Sequence, residues 1–415
     1  MNPVEHYVAR FRAAPGDPLA GLRRRALRAF AERGFPSTRD EEWRYTSLAA
    51  LARTPFERPE PAEVARQTVE SLAIPVYACS VFVFVDGRLA PGLSTPALLA
   101  GQVAVRSLAA GMPPALGSLV DPKQHPFAAL NTAFFEDGAA LVVPDGVAVE
   151  RPMHVVFVGS RGVQHPRVFV ELGRQASATL IQDHVSLSDE AGFTNAVTEI
   201  RLGPGARLDF VQLQRETARR YHLSNLQVRQ ERDSLLRSHA ISLGGALLRN
   251  DAAALLAGEG AECRLDGLFV GDAEQVIDHH TLVDHAVPHC TSRQLYKGVV
   301  SDRARGVFRG RVIVRPDAQK TDASQSNPNL VLSDAAEIDT RPQLEIYADD
   351  VKCSHGSSIG QVDADALFYL RSRGLDERRA RDLLARGFAA EVTSRLAQGP
   401  LREVVDQLVL EKLAR

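Results

Sequence analysis

A weak internal repeat constrains the fold of this chain more than any single residue does. Ala176-Ser-Ala-Thr-Leu-Ile-Gln aligns with Ala206-Arg-Leu-Asp-Phe-Val-Gln, and similar segments begin near Ser234 and Ala261. The starts lie roughly 30 residues apart, the range in which stacked-coil architectures repeat. The units are β-rich: Ala140-Leu-Val-Val, His154-Val-Val-Phe-Val, Val168-Phe-Val-Glu-Leu and Leu208-Asp-Phe-Val-Gln-Leu are separated by Gly, Pro and Asp turns. Helical periodicity does not alternate with these runs, which argues against a doubly wound sheet. Each coil would bury its inward residues only against the coils above and below, giving an elongated core. The expectation is a mainly β chain with a β-helix core over residues 121–352, in preference to a sandwich.

Helical regions flank that core. In the N-terminal region, residues 1–120, Leu19, Leu22, Ala26, Leu27 and Phe30 keep helical spacing until Gly34 and Pro36. The single tryptophan follows in Glu42-Trp-Arg-Tyr-Thr46, where Trp43 is expected to be a packing anchor, and Pro55 to Pro61 reads as a linker. In the C-terminal region, residues 353–415, Asp376 can cap a helix with Ala380, Leu383, Leu384, Gly387, Phe388, Val392 and Leu396 on one stripe. Gly399 breaks it, and Pro400 opens a second helix with Leu401, Val404, Val405 and Leu408. Such a stripe packs on its own protein or serves as a docking surface, and the pattern alone leaves both open.

A chain of 415 residues suggests two or three units unless an elongated architecture absorbs the length. Lys+Arg number 49 against 51 Asp+Glu, so no global field recruits nucleic acid or an anionic membrane. Cys79, Cys263, Cys290 and Cys353 are spaced too widely for a secreted disulfide framework. The N-terminus lacks the apolar core of a signal peptide, and no run reaches membrane-span length. A soluble, cytoplasmic protein with reduced thiols is expected.

The richest chemistry lies in Glu345-Ile-Tyr-Ala-Asp-Asp-Val-Lys-Cys-Ser-His-Gly-Ser-Ser-Ile-Gly360. If extended, it projects Cys353 and His355 from one face, because side chains alternate along a strand. A thiolate and an imidazole suit zinc or an iron–sulfur cluster. Two ligands do not close a zinc site, however, and a buried cysteine beside a hydrogen-bonded histidine is the better account of the pair taken alone.

Other chemistries fail on spacing or order. The chain has no P-loop, so it carries no ATP site of its own. Gly356-Ser-Ser-Ile-Gly360 matches a hydrolase elbow, but no histidine follows His355 to complete the triad in its usual order, so the glycines read as a turn. In Asp278-His-His-Thr-Leu-Val-Asp-His-Ala-Val-Pro-His-Cys290, His279 and His280 point to opposite faces of a strand, and Pro288 keeps His285 and His289 off a shared helical face. Polar positions along the solenoid are expected there. Asp302, Arg303, Arg305, Arg309 and Arg311 suggest a polysaccharide-lyase face as the rival from another class.

Several motifs in order carry a resemblance. They are Glu42-Trp-Arg-Tyr-Thr46, Arg264-Leu-Asp-Gly-Leu-Phe269, Asp278 to His285, Tyr296-Lys-Gly298 and Gly306-Val-Phe-Arg-Gly310. Asp317 to Ala323, Gln325-Ser-Asn327, Pro342 to Ile346, Asp349 to Gly356 and Leu367 to Gly374 follow. Together they resemble the SufB/SufD family of iron–sulfur cluster assembly proteins. Cys353-Ser-His-Gly356 stands where SufB typically has a His-Glu-Ala pattern, which favours the SufD branch.

The resemblance implies a right-handed parallel β-helix with helical regions at both ends. It implies a non-catalytic subunit that pairs with SufB, or forms a homodimer when isolated, and whose C-terminal helices dock the SufC ATPase. His355 would lie at the SufB interface and help hold a transient iron–sulfur cluster shared with SufB, with Cys353 beside it as the second candidate. A purely structural adaptor that recruits SufC without touching iron is the alternative.

Overall fold

The computed structural model describes residues 3–12, 16–72, 80–95, 103–397 and 399–414, and Cys79 lies outside them. From Gly138 to Gly360 the chain winds as a parallel β-solenoid, each coil giving one strand to each of two ten-stranded sheets. In the first sheet Ser177 lies against Arg207, then follow Leu235, Glu262, Thr291, Asp322 and Lys352 in unbroken register. In the second, Tyr221, Leu247, Val276, Arg305 and Glu337 stack in the same way.

The repeat in the sequence is this register. Ala176, Ala206, Ser234 and Ala261 each precede a first-sheet strand and are at most 1% exposed. They are small because the chain turns a tight corner there against the coil beneath. Two residues later Ala178, Leu208, Leu236 and Cys263 enter the shared core, which also receives Leu226, Val228, Ala252, Ala254 and Val283 from the second sheet.

The two ends of the solenoid differ. At the N-terminal end Arg88–Leu89 runs antiparallel to Ser80–Val85, and Ala104–Ser107 runs antiparallel to Gly138–Val143. At the C-terminal end Glu337–Ile346 and Lys352–Gly360 are the last strands of their sheets. The strand Lys352–Gly360 extends past residue 353, and helix resumes only at Ala364. Gly356 and Gly360 lie within that strand rather than in a turn, which an edge strand with no side chains packed against its glycines tolerates.

The N-terminal region is bolted down by a buried ion pair. Arg167 and Glu199, both fully buried, meet at 2.5 Å. Arg167 also donates to Asn131 Oδ1 and Thr132 Oγ1, while Glu199 accepts the backbone N–H groups of Gly117 and Leu119. Glu199→Ala leaves a buried guanidinium uncompensated and is expected to cost about 3–5 kcal/mol of stability. Urea unfolding measures it, and a loss below about 1 kcal/mol would mean that water replaces the carboxylate. Trp43 is an anchor, 5% exposed, with the Arg249 guanidinium 3.8 Å over its ring. Pro55 to Pro61 is no free linker: Phe56 is buried against Phe193 and Tyr221, and Glu57 O accepts the N–H of Val163.

The C-terminal stripe packs on its own protein. Helices Glu377–Thr393 and Pro400–Leu413 bury Ala385, Ala389, Val392, Val405 and Val409 against Ile181, Val211, Ile241, Leu268 and Val299 on the outer face of the first sheet. Ion pairs tie them down: Lys297 to Glu391, Asp266 to Arg395 and Asp272 to Lys412. Helix Ala364–Ser372 has no buried residue and leaves Phe368 74% and Tyr369 56% exposed.

Burial holds five histidines neutral. His165 and His184 are pushed down to about 3, and His239, His279 and His285 to about 4, in each case chiefly by desolvation. Unfolded, each titrates near 6.5, so unfolding takes up protons and stability falls as pH drops from 6.5 towards 4. Asp266, raised to about 6 by burial, acts in the opposite sense and offsets one of them. A net uptake of about four protons is expected at pH 5, each worth roughly 1.4 kcal/mol per pH unit. Urea midpoints should fall from pH 7 to pH 5, whereas a flat profile would mean that these rings protonate in place.

Candidate functional site

Alternation along Lys352–Gly360 sets Cys353, His355, Ser357 and Ile359 in register with Ala323, Gln325, Asn327 and Asn329 of the preceding coil. Those four are at most 3% exposed, because the last coil covers them. No coil follows. Cys353 is therefore half-buried, and His355, an interior position by register, is exposed. The sequence places the pair on one face correctly.

The two differ in readiness to bind a soft metal. Cys353 packs with Leu344 and Val351 on the cluster around Val312, Val314 and Ala323. Burial raises its thiol above the ordinary range, a backbone hydrogen bond at Ala323 pulls the other way, and Asp322 adds to the rise. Near neutral pH it is a thiol rather than the nucleophilic or ligating thiolate. His355 is exposed on the last strand of its sheet. On or next to the two terminal strands, Ile346, Tyr347 and Ile359 are 42, 62 and 52% exposed, and the outer edges of both strands carry no partner strand among the described residues. An apolar, unpaired strand edge is a template for a second chain. Sequence reasoning missed this patch, since a strand's residues do not reveal that no coil will cover them.

The motifs near the site have packing reasons. Phe269 fills the core so closely that a Cβ at Gly298 would stand 2.2 Å from its ring, and one at Gly306 2.6 Å. In Tyr296-Lys-Gly298, Tyr296 is buried beside Phe308, while Lys297 reaches over Phe388 and to Glu391.

The remaining candidates do not assemble a site. His279 is stacked on Phe269 inside the solenoid, and His285 Nε2 lies 2.9 Å from Ser292 Oγ. His280 faces outward with Asp278 Oδ1 at 3.0 Å and Glu42 at 3.5 Å. The arginines of the lyase pattern are neutralised: Arg305 by Asp339, Arg309 by Glu42 and Arg311 by Glu345. Among the described residues no group of three or more His, Cys, Asp or Glu can hold a metal ion. Cavities of about 270 and 740 Å³ open under the N-terminal region, beside Trp43 and beside Tyr7, and neither includes His355. No helix among the described residues is long and apolar enough to cross a membrane.

Residues 155–388 match the family model described as the SUF system FeS cluster assembly SufBD core domain, and residues 9–155 match that of the SufBD protein N-terminal region. The chain belongs to the SufB/SufD family. It is 34% identical to the iron–sulfur cluster assembly protein SufD of Escherichia coli over 91% of this chain and 89% of that protein. A SufBD family protein of Synechocystis is 33% identical over 89% and 87%, and SufD of Bacillus subtilis 29% over 69% and 66%. These likenesses make it a SufD-type member of an iron–sulfur cluster assembly family. The boundary between the two matched regions, residue 155, falls within the strand Met153–Gly159, so in this SufB/SufD member the N-terminal region and the solenoid share one fold.

Proposed function

We propose that this chain is a non-catalytic subunit of an iron–sulfur assembly scaffold, pairing with SufB through the open end of its solenoid. The observation that carries the proposal is His355, exposed at an interior register position where no coil follows. A second solenoid laid on these edges would pair their free backbone groups and cover Ile346, Tyr347 and Ile359, and it would enclose His355. There the imidazole would help a SufB cysteine hold the nascent cluster, which is cargo rather than a resident cofactor. A neutral ring in place of a thiolate lowers the negative charge of the site and raises the cluster's potential. Cys353 ranks second because its raised thiol must lose a proton before it can ligate.

SufC docks, in this proposal, on the exposed Phe368 and Tyr369 of helix Ala364–Ser372 rather than on the buried stripe. That helix directly follows the strand that carries His355. ATP-driven movement of SufC would thus reach the open end within a few residues, parting the subunits so that the cluster can form and leave. Replacing His355 by alanine in the reconstituted complex tests the proposal.

A further inference from the structure

Gln325 is an interior residue without a hydrogen-bond partner. It is the register neighbour of His355 on the adjoining strand, on the same inward side, and 2% exposed. Neither its Oε1 nor its Nε2 bonds to any protein group. One coil further in, Gln294 keeps one partner, its Oε1 accepting from Thr281 Oγ1 at 2.7 Å while its Nε2 is unpaired, so Gln325 alone of the two has neither end of its amide bonded. A buried polar group left unpaired costs about 1–3 kcal/mol, and an apolar side chain of the same shape would avoid that cost. The opposite wall makes room for this amide: a Cβ at Gly310 would stand 2.1 Å from Gln325 Nε2. A residue that lowers stability where a methionine would serve points to a function.

Building on the role of His355 above, we propose that Gln325 is its positioning residue, with Oε1 accepting the N–H of the ring nitrogen that does not face the cluster. A ligating imidazole nitrogen must be unprotonated, so the proton resides on the other nitrogen and needs an acceptor there. Parallel strands lie about 4.8 Å apart, which brings a glutamine and a histidine in register within hydrogen-bond reach of each other. The bond is not made while the end of the solenoid lies open, and it forms when a second subunit closes over His355 and turns the ring inward, fixing both the tautomer and the ring plane in the closed site. It also gives the Gln325-Ser-Asn327 motif a reason to carry an amide in the core.

Nitrogen NMR of the full-length ¹⁵N-histidine-labelled chain in its complex with unlabelled SufB tests this, with the His355 signals assigned by their absence in His355→Ala. The wild type is expected to show one dominant His355 tautomer. Gln325→Met should move it to a mixed population and reduce cluster assembly in the reconstituted complex by roughly 10- to 100-fold. Its thermal midpoint should stay level or rise. An unchanged tautomer, with assembly intact or with a lowered midpoint, would overturn the assignment and mark Gln325 as structural. If Gln325→Met is silent while His355→Ala abolishes assembly, the positioning role fails and the role of His355 stands. If His355→Ala is itself silent, both fall.

Discussion

A chain ending at Gly374 is expected to aggregate, not merely to lose a partner. The deletion strips Ala385, Ala389, Val392, Leu396, Val405 and Val409 from the outer face of the first sheet. It uncovers Ile181, Val211, Leu213, Ile241, Leu268 and Val299 as one continuous apolar surface across several coils. Each aliphatic side chain returned to water costs about 1.5–3 kcal/mol, so the summed loss rivals the roughly 5–15 kcal/mol by which a domain is stable. The deletion therefore cannot report on ATPase docking. Phe368→Ala and Tyr369→Ala can, because neither residue is buried and the Tyr369 ring meets only the Arg373 guanidinium, 5.2 Å from its centroid, one turn on in the same segment. Each is expected to weaken SufC binding by a hot-spot amount, about 2 kcal/mol or roughly 30-fold, with the melting temperature unchanged. Calorimetric titration reads this, and a soluble Gly374 truncation or undiminished binding by the double variant would count against the arrangement.

What the sequence discloses here depends on whether a residue meets its own neighbours or something beyond the chain. The solenoid is legible because its coils stack in register, so Ala176, Ala206, Ser234 and Ala261 repeat the same corner. The shared face of Cys353 and His355 is legible for a similar reason, since strand alternation is local. The C-terminal stripe is legible as a stripe only. Helical periodicity marks an apolar face without naming its cover, and here the cover is a sheet whose contact residues, among them Ile181, Val211, Ile241, Leu268 and Val299, lie far earlier in the sequence. The glycines after His355 mislead, because Gly356 and Gly360 mark a turn in most contexts and here lie in an uncovered edge strand. Gln325 is invisible by composition, since a glutamine inside a β-rich run suggests an outward position.

The role of His355 is the larger expectation. Its side chain covers nothing and has no bonding partner among the described residues, so His355→Ala should leave folding and pairing intact. Loss of a ligand from a site shared by two subunits should lower cluster yield by at least the roughly 10- to 100-fold that outer-shell partners of a metal site command. Cys353→Ala should do less, because that thiol is raised by burial and packs with Leu344 and Val351. The most direct measurement is anaerobic reconstitution of the complex with SufB and SufC, wild type against His355→Ala, followed by iron Mössbauer spectroscopy and size-exclusion chromatography. Complexes of equal size are expected, with the cluster signal lost from the variant. A variant complex with undiminished cluster and an unchanged spectrum would contradict the role of His355.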